Sequence, residues 1–338
     1  MPVRKTERSS SVSVATPPEE GFPGDLDSAA PIAAPGGRCI ACEESDIEEY
    51  LQAPDRYHGR SEVYRLIRCR SCSLVWLEDP PPPPEMGRHY GPDYDRAVAL
   101  AGRDPRRWTR RCEVVQGFTS NGTILDLGCS DGGFLAGLEK TKWKMYGVEM
   151  SPEVAKAAER RTGAEVFVGD VLDAPFAPGT FDVITCFHVF EHLYQPRAVL
   201  AKVRDWLKPG GVFFTMMPNI DSAGAHIFRS YWYGLELPRH LYHFSPRSLR
   251  ALAQSIGLQE LSIATDREVF IEASARYIVD DLLRKMGIVR VPLAKAPEPR
   301  LPVRIVRKAA RLTLFPALSV LAGMAGDGES IHAIFRKS

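Results

Sequence analysis

The sequence predicts an α/β fold built on a doubly wound, mostly parallel sheet, and three observations carry that expectation. The stretch Thr123-Ile-Leu-Asp-Leu-Gly-Cys-Ser-Asp-Gly-Gly-Phe-Leu135 runs β-forming apolar residues into Gly128 and brings glycines back at Gly132 and Gly133, a pattern of strand, tight turn and helix. The next apolar runs, Lys144 to Glu149 and Glu165 to Asp170, each end in an acid. Finally, Glu329-Ser-Ile-His-Ala-Ile-Phe-Arg336 alternates in the way a strand does and fits an antiparallel last strand beside the fifth.

Length and composition bound the rest. A chain of 338 residues with 44% hydrophobic content can bury one large α/β core and a small satellite. A net charge of +1 supplies no global field for nucleic acid, so no nucleic-acid partner is expected. Residues 1–37 are rich in Ser, Pro, Ala and Glu without periodicity. They are expected to be a disordered tail, and with no apolar signal core the protein is expected in the cytoplasm.

Cys39-Ile-Ala-Cys42 and Cys69-Arg-Ser-Cys72 stand 26 residues apart. Two such knuckles bring four thiolates onto one tetrahedral Zn²⁺, so residues 38–79 read as a zinc ribbon with Cys39, Cys42, Cys69 and Cys72 as ligands. Four cysteines leave no open position, which makes this zinc structural. Five prolines, Pro80 to Pro84, read as a stiff polyproline spacer opening a linker and cap-helix region, 80–118. That region holds Tyr90, Tyr94 and a basic helix over Arg106 to Phe118 whose arginines are given no role.

The core is placed at 119–269. Ser151-Pro-Glu-Val opens a helix with a capping serine, proline first and an early acid, and Gln195 to Leu207 is an amphipathic crossover. Phe181 to His188 gives a fourth strand, and Leu207 to Thr215 a turn and a fifth. Glu191 and His192 have two readings, as catalytic residues or as the start of the helix after the fourth strand that fixes the loop, and the structural one is preferred. An insertion from Met217 carries Phe228, Tyr231, Trp232 and Tyr233 and ends at Ser245-Pro246, a helix start that leaves His240 and His243 in a loop on the rim. The sixth strand follows, from Gly257 to about Val269. Residues 270–326 read as a helical insertion or lid, and 327–338 hold the final strand. Within the insertion, five basic residues between Arg300 and Arg311 precede an apolar run. This suits an interfacial helix on anionic lipid through residues 300–324, a substrate lid or a dimer helix.

The glycine corner lacks the second and third glycines of the dinucleotide fingerprint and any phosphate-loop lysine. It resembles motif I of class I S-adenosyl-L-methionine (SAM) methyltransferases, Asp-x-Gly-x-Gly-x-Gly, with Asp126, Gly128 and Gly132 in place and Ser130 at the middle glycine. The resemblance implies a Rossmann-like seven-stranded methyltransferase sheet with SAM held by Asp126, Gly128, Ser130 and Gly132. It places the ribose diol on Glu149, the adenine amino group on Asp170, and the methionine end against Phe187 and His188. A second pattern, His240-x-x-x-Phe244-Ser245 with the four-cysteine region, is similar to nucleotide-sugar C-methyltransferases, which implies His240 as general base. Leu237 stands where those enzymes carry tyrosine. His243 is the second catalytic candidate.

The expectation is a SAM-dependent methyltransferase acting on oxygen or carbon of a small-molecule, sugar or lipid-linked acceptor. An RNA-modifying zinc-ribbon enzyme and a non-catalytic SAM-binding scaffold are the alternatives.

Overall fold

The computed structural model describes residues 37–90, 105–266, 270–287 and 328–338. The expectations for the first 36 residues, for Tyr94 and for residues 300–324 lie outside the described residues.

Among the described residues three antiparallel strands come first, β1 (Ile47–Pro54), β2 (Val63–Cys69) and β3 (Val75–Leu77). Helix α1 (Pro105–Gln116) follows, and then the core elements begin: β4 (Gly122–Leu127), β5 (Trp143–Glu149), α2 (Pro152–Thr162), β6 (Glu165–Val168), β7 (Phe181–Phe187), α3 (Pro196–Trp206) and β8 (Leu207–Pro218). After α4 (Ala223–Phe228) comes a two-residue strand, β9 (Tyr242–His243), then α5 (Pro246–Ser255), β10 (Leu258–Asp266), α6 (Phe270–Lys285) and β11 (Ser330–Lys337).

The main sheet has seven strands in the spatial order β6, β5, β4, β7, β8, β11, β10. Neighbours from β6 to β8 are parallel, and β11 lies antiparallel between β8 and β10, as the alternation at 329–336 predicts. The strand order reverses between β4 and β7, so their carboxyl ends open the crevice where ligands of doubly wound sheets bind.

Local chemistry sets the helix boundaries. Ser151 accepts a hydrogen bond from the Val154 amide at 3.4 Å, Pro152 opens α2, and Gly163 closes it in the left-handed region at φ 74°. Ser245 caps α5 through the Ser248 amide at 3.1 Å, and the Ser248 hydroxyl accepts from the Ser245 amide at 2.8 Å, a reciprocal capping box.

Three expectations change. The glycine corner does not run into a helix: only a 3-10 turn, Leu135–Gly137, follows. Three glycines within Gly132–Gly137, one at φ 75°, leave too little helix propensity, so the anion-attracting end of a helix dipole is missing at this corner. The proline run is extended only to Pro82, and Pro83–Met86 is a helical turn.

Nor does the proline run hold the ribbon away from the core. The β1–β2–β3 sheet takes β9 as its fourth strand, pairing Val75 with His243 and Trp76 with Tyr242. Leu66, Leu74, Trp76 and Leu77 belong to the same buried apolar cluster as Phe213, Met217, Leu249 and Phe335. A segment too small for a core of its own has joined a larger one. Arg197 of α3 seals the joint, donating to the Ile40 carbonyl at 3.0 Å and pairing with Glu43 at 2.6 Å.

Candidate functional site

The corner after β4 is shaped for close approach. Gly128, Ser130 and Gly132 have φ of 68°, 50° and 75°, all left-handed. Ser130 therefore keeps the backbone path of the glycine it replaces, at the cost of placing a Cβ where L-residues are strained. A side chain at 128 would collide with Val189, just beyond β7, so the glycine there is required by both conformation and space.

Glu149 closes the corner from the tip of β5. Its Oε2 accepts from the Ser130 amide at 3.1 Å and its Oε1 from the Ser151 amide at 3.0 Å. Each oxygen keeps a second lone pair, so the carboxylate still suits a diol. Burial pushes its pKa up, opposed by those two amides. Asp170 sits just beyond β6 and accepts from the Leu172 amide at 2.7 Å. Met150 and Val168, beside these acids, leave 39% and 41% of their surface exposed. Apolar surface flanked by hydrogen-bonding acids is the chemistry a purine nucleoside needs.

Asp126 lies deeper than a ligand contact. It is 4% exposed and accepts from the Thr185 hydroxyl of β7 at 2.7 Å. Burial pushes its carboxyl up to about 7, against the pull of the Thr185 hydrogen bond and the Arg111 guanidinium. Its direct work is to tie β4 to β7 at the switch point.

Helix α1 covers the corner. Trp108, Cys112 and Val115 pack in one buried cluster with Phe134 and Leu135. Arg111 is 6% exposed, its guanidinium carbon 4.9 Å from the Trp108 ring centroid and 4.7 Å from that of Phe187. Residue type alone gives no role to the α1 arginines and does not single out Trp108 or Thr185. The i, i+3, i+4, i+7 spacing of Trp108, Arg111, Cys112 and Val115 was the available signal.

At the end of β7 the chain turns through His188, whose φ is 56°, into a 3-10 turn, Phe190–His192. His188 Nδ1 lies 3.6 Å from Glu191 Oε1, and Glu191 is 1% exposed. Glu191 and His192 do not begin α3; they face the site. His192 Nδ1 donates to the Arg239 carbonyl at 3.0 Å, with the Tyr90 hydroxyl 3.2 Å away.

The rim loop meets this turn. The His240 ring stands edge-on to His192 with centroids 4.6 Å apart. Its Nδ1 donates to the Gly234 carbonyl at 2.8 Å, and its Nε2 lies 3.7 Å from Glu236 Oε2. A carbonyl only accepts, so Nδ1 carries the proton and Nε2 the lone pair. Burial pushes His240 well below the usual imidazole range and His192 down to about 4, so both rings are neutral near pH 7.

His243 sits apart in β9. It donates through Nε2 to the Leu235 carbonyl at 3.0 Å and is pushed by burial to about 4. Its place in the ribbon sheet makes it a support of the loop. Arg239, fully buried, pins the same loop through Glu236 Oε1 at 3.0 Å and the His89 carbonyl at 3.0 Å.

The four ribbon cysteines converge, with Cys39 and Cys72 sulfurs 3.5 Å apart and Cys42 and Cys69 likewise. A tetrahedral zinc with Zn–S near 2.3 Å spaces its sulfurs by about 3.8 Å, so the donor set fits that ion with a small outward shift. Glu43 and Ser73, following each knuckle, take φ of 63° and 67°, the conformation such turns require.

Residues 99–263 match a protein-family model described as a methyltransferase domain. Among curated proteins, the ubiquinone biosynthesis O-methyltransferase of Paraburkholderia xenovorans is 28% identical over 153 residues, 42% of this chain and 66% of that protein. The ubiquinone biosynthesis O-methyltransferase of Colwellia psychrerythraea is 34% identical over 107 residues, 29% of this chain and 44% of that protein. The chain thus spans less than two thirds of the length of these curated relatives. Among solved structures, a SAM-dependent methyltransferase from Archaeoglobus fulgidus has 16% identity and a TM-score of 0.44, covering 68% of this chain and 92% of that one. Sheet order, glycine corner and sequence match agree: the chain carries a class I SAM-dependent methyltransferase domain.

Proposed function

We propose that the protein transfers a methyl group from SAM to an oxygen or carbon of a small-molecule acceptor, with sugars and lipid-linked glycans within the class. SAM brings a methyl group on a sulfonium that is already an excellent leaving group, so the protein must hold, align and remove one proton. The glycine corner with Glu149 and Asp170 holds the adenosyl portion, with Arg111, Phe187 and His188 lining the methionine side. The acceptor enters between the turn after β7 and the rim loop, where His240 presents its Nε2 lone pair and receives the proton. A structural zinc on the four cysteines fixes the ribbon.

The observation that carries this reading is the buried, neutral His240, held in one tautomer by the Gly234 carbonyl beside the end of β7. A ring committed as a donor at one nitrogen is committed as an acceptor at the other. Isothermal titration of SAM against the wild type, Gly128→Arg and His240→Ala tests it. Binding is expected in the wild type and in His240→Ala and lost in Gly128→Arg. Equal binding by wild type and Gly128→Arg, or binding by neither, removes the cofactor assignment. Unchanged methylation of acceptors in cell extract by His240→Ala, followed with labelled SAM, removes the base.

A further inference from the structure

We propose that Glu191, His192 and His240 form a second metal site, which takes a divalent first-row transition cation and keeps a coordination position open for an acceptor oxygen. One ligating atom from each residue lies within 4.8 Å of those of the other two. The three come from two separate segments, the turn after β7 and the loop before β9. Two imidazoles and a carboxylate are the donor set of an open zinc site, and the opposite of the closed four-thiolate ribbon.

Hydrogen bonding prepares both rings for this task. His192 gives its Nδ1 proton to the Arg239 carbonyl at 3.0 Å, and His240 gives its own to the Gly234 carbonyl at 2.8 Å. Both Nε2 atoms therefore carry lone pairs, and both rings are fixed in orientation by the backbone partners that metal-bound histidines characteristically use. Glu191 is buried to 1% and His240 to 5%.

The binding site stands on this geometry alone; its part in turnover rests on the methyltransferase reading. A cation there would hold the acceptor hydroxyl and acidify it, the proton passing to the Glu236 carboxylate, 3.7 Å from His240 Nε2. In that loaded form His240 spends its lone pair on the cation and Glu236 becomes the base.

The test is a Co²⁺ titration of protein whose ribbon has been filled with Zn²⁺, followed by visible absorption and by metal analysis after dialysis. The expected result is a second metal equivalent per chain, with cobalt d–d bands but no thiolate-to-cobalt charge transfer. Glu191→Gln and His192→Asn should each weaken that binding by about tenfold or more while leaving one zinc per chain. A single metal per chain in the wild type overturns the proposal whatever the variants do. Cobalt bands that carry the thiolate signature, or that both variants leave unchanged, overturn it too. SAM titrated into the same samples separates the two ideas, since SAM binding without a second metal leaves the methyltransferase reading standing.

Discussion

Asp126 and the site histidines show burial acting in opposite directions on pH dependence. A carboxyl raised to about 7 when folded holds a proton that the unfolded chain releases near pH 4. Its contribution to stability is fully present below pH 4 and is lost as pH rises toward 7. Asp126→Asn keeps an acceptor for the Thr185 hydroxyl and cannot ionise. The variant should match the wild type near pH 4 and exceed its stability by up to about 4 kcal/mol at pH 8, measured by urea unfolding at both. A stability difference independent of pH would contradict the assignment. The histidines run the other way. With folded values near 4 for His192 and His243, their contribution is present above pH 6.5 and lost on acidification toward 4. Of these residues, motif spacing picked out Asp126 and His240, but the tautomer of His240 depends on Gly234 and could be seen only once the loop had folded.

Strand β9, only two residues long, has consequences larger than its length. Its pairing of Val75 with His243, and the Leu77 amide bonded to the Leu241 carbonyl at 2.9 Å, attach the loop carrying His240 directly to the ribbon. Stripping the proposed ribbon zinc should therefore speed amide exchange at Leu77, Tyr242 and His243 while β4 and β5 remain protected, because their strand pairing lies entirely within the seven-stranded sheet. Hydrogen-exchange mass spectrometry with and without a chelator reads this; equal protection across 236–246 in both states would show that the ribbon does not brace the loop. The two helix starts at Ser151 and Ser245 were legible from residue type and offset, since caps act over three residues. The packing of Trp108 against Gly133 was not, because α1 comes from outside the motif.

One buried cluster runs from the ribbon through the α/β core. The folded chain should accordingly lose its ribbon and its SAM site in one transition. Thermal unfolding followed by near-ultraviolet circular dichroism and by SAM binding should give coincident midpoints, and two resolved steps would mean that the ribbon folds on its own. No helix among the described residues is long and apolar enough to cross a membrane. The sequence by itself determined the individual strands of the core, the glycine corner with its acids, and the two cysteine knuckles, because each depends on local periodicity or on spacings of a few residues. Tertiary structure alone decided that Asp126 is buried under α1, that the ribbon borrows a strand from the rim loop, and that Glu191, His192 and His240 meet. Those contacts join segments far apart in the chain, and no local pattern encodes which distant surface a residue will face.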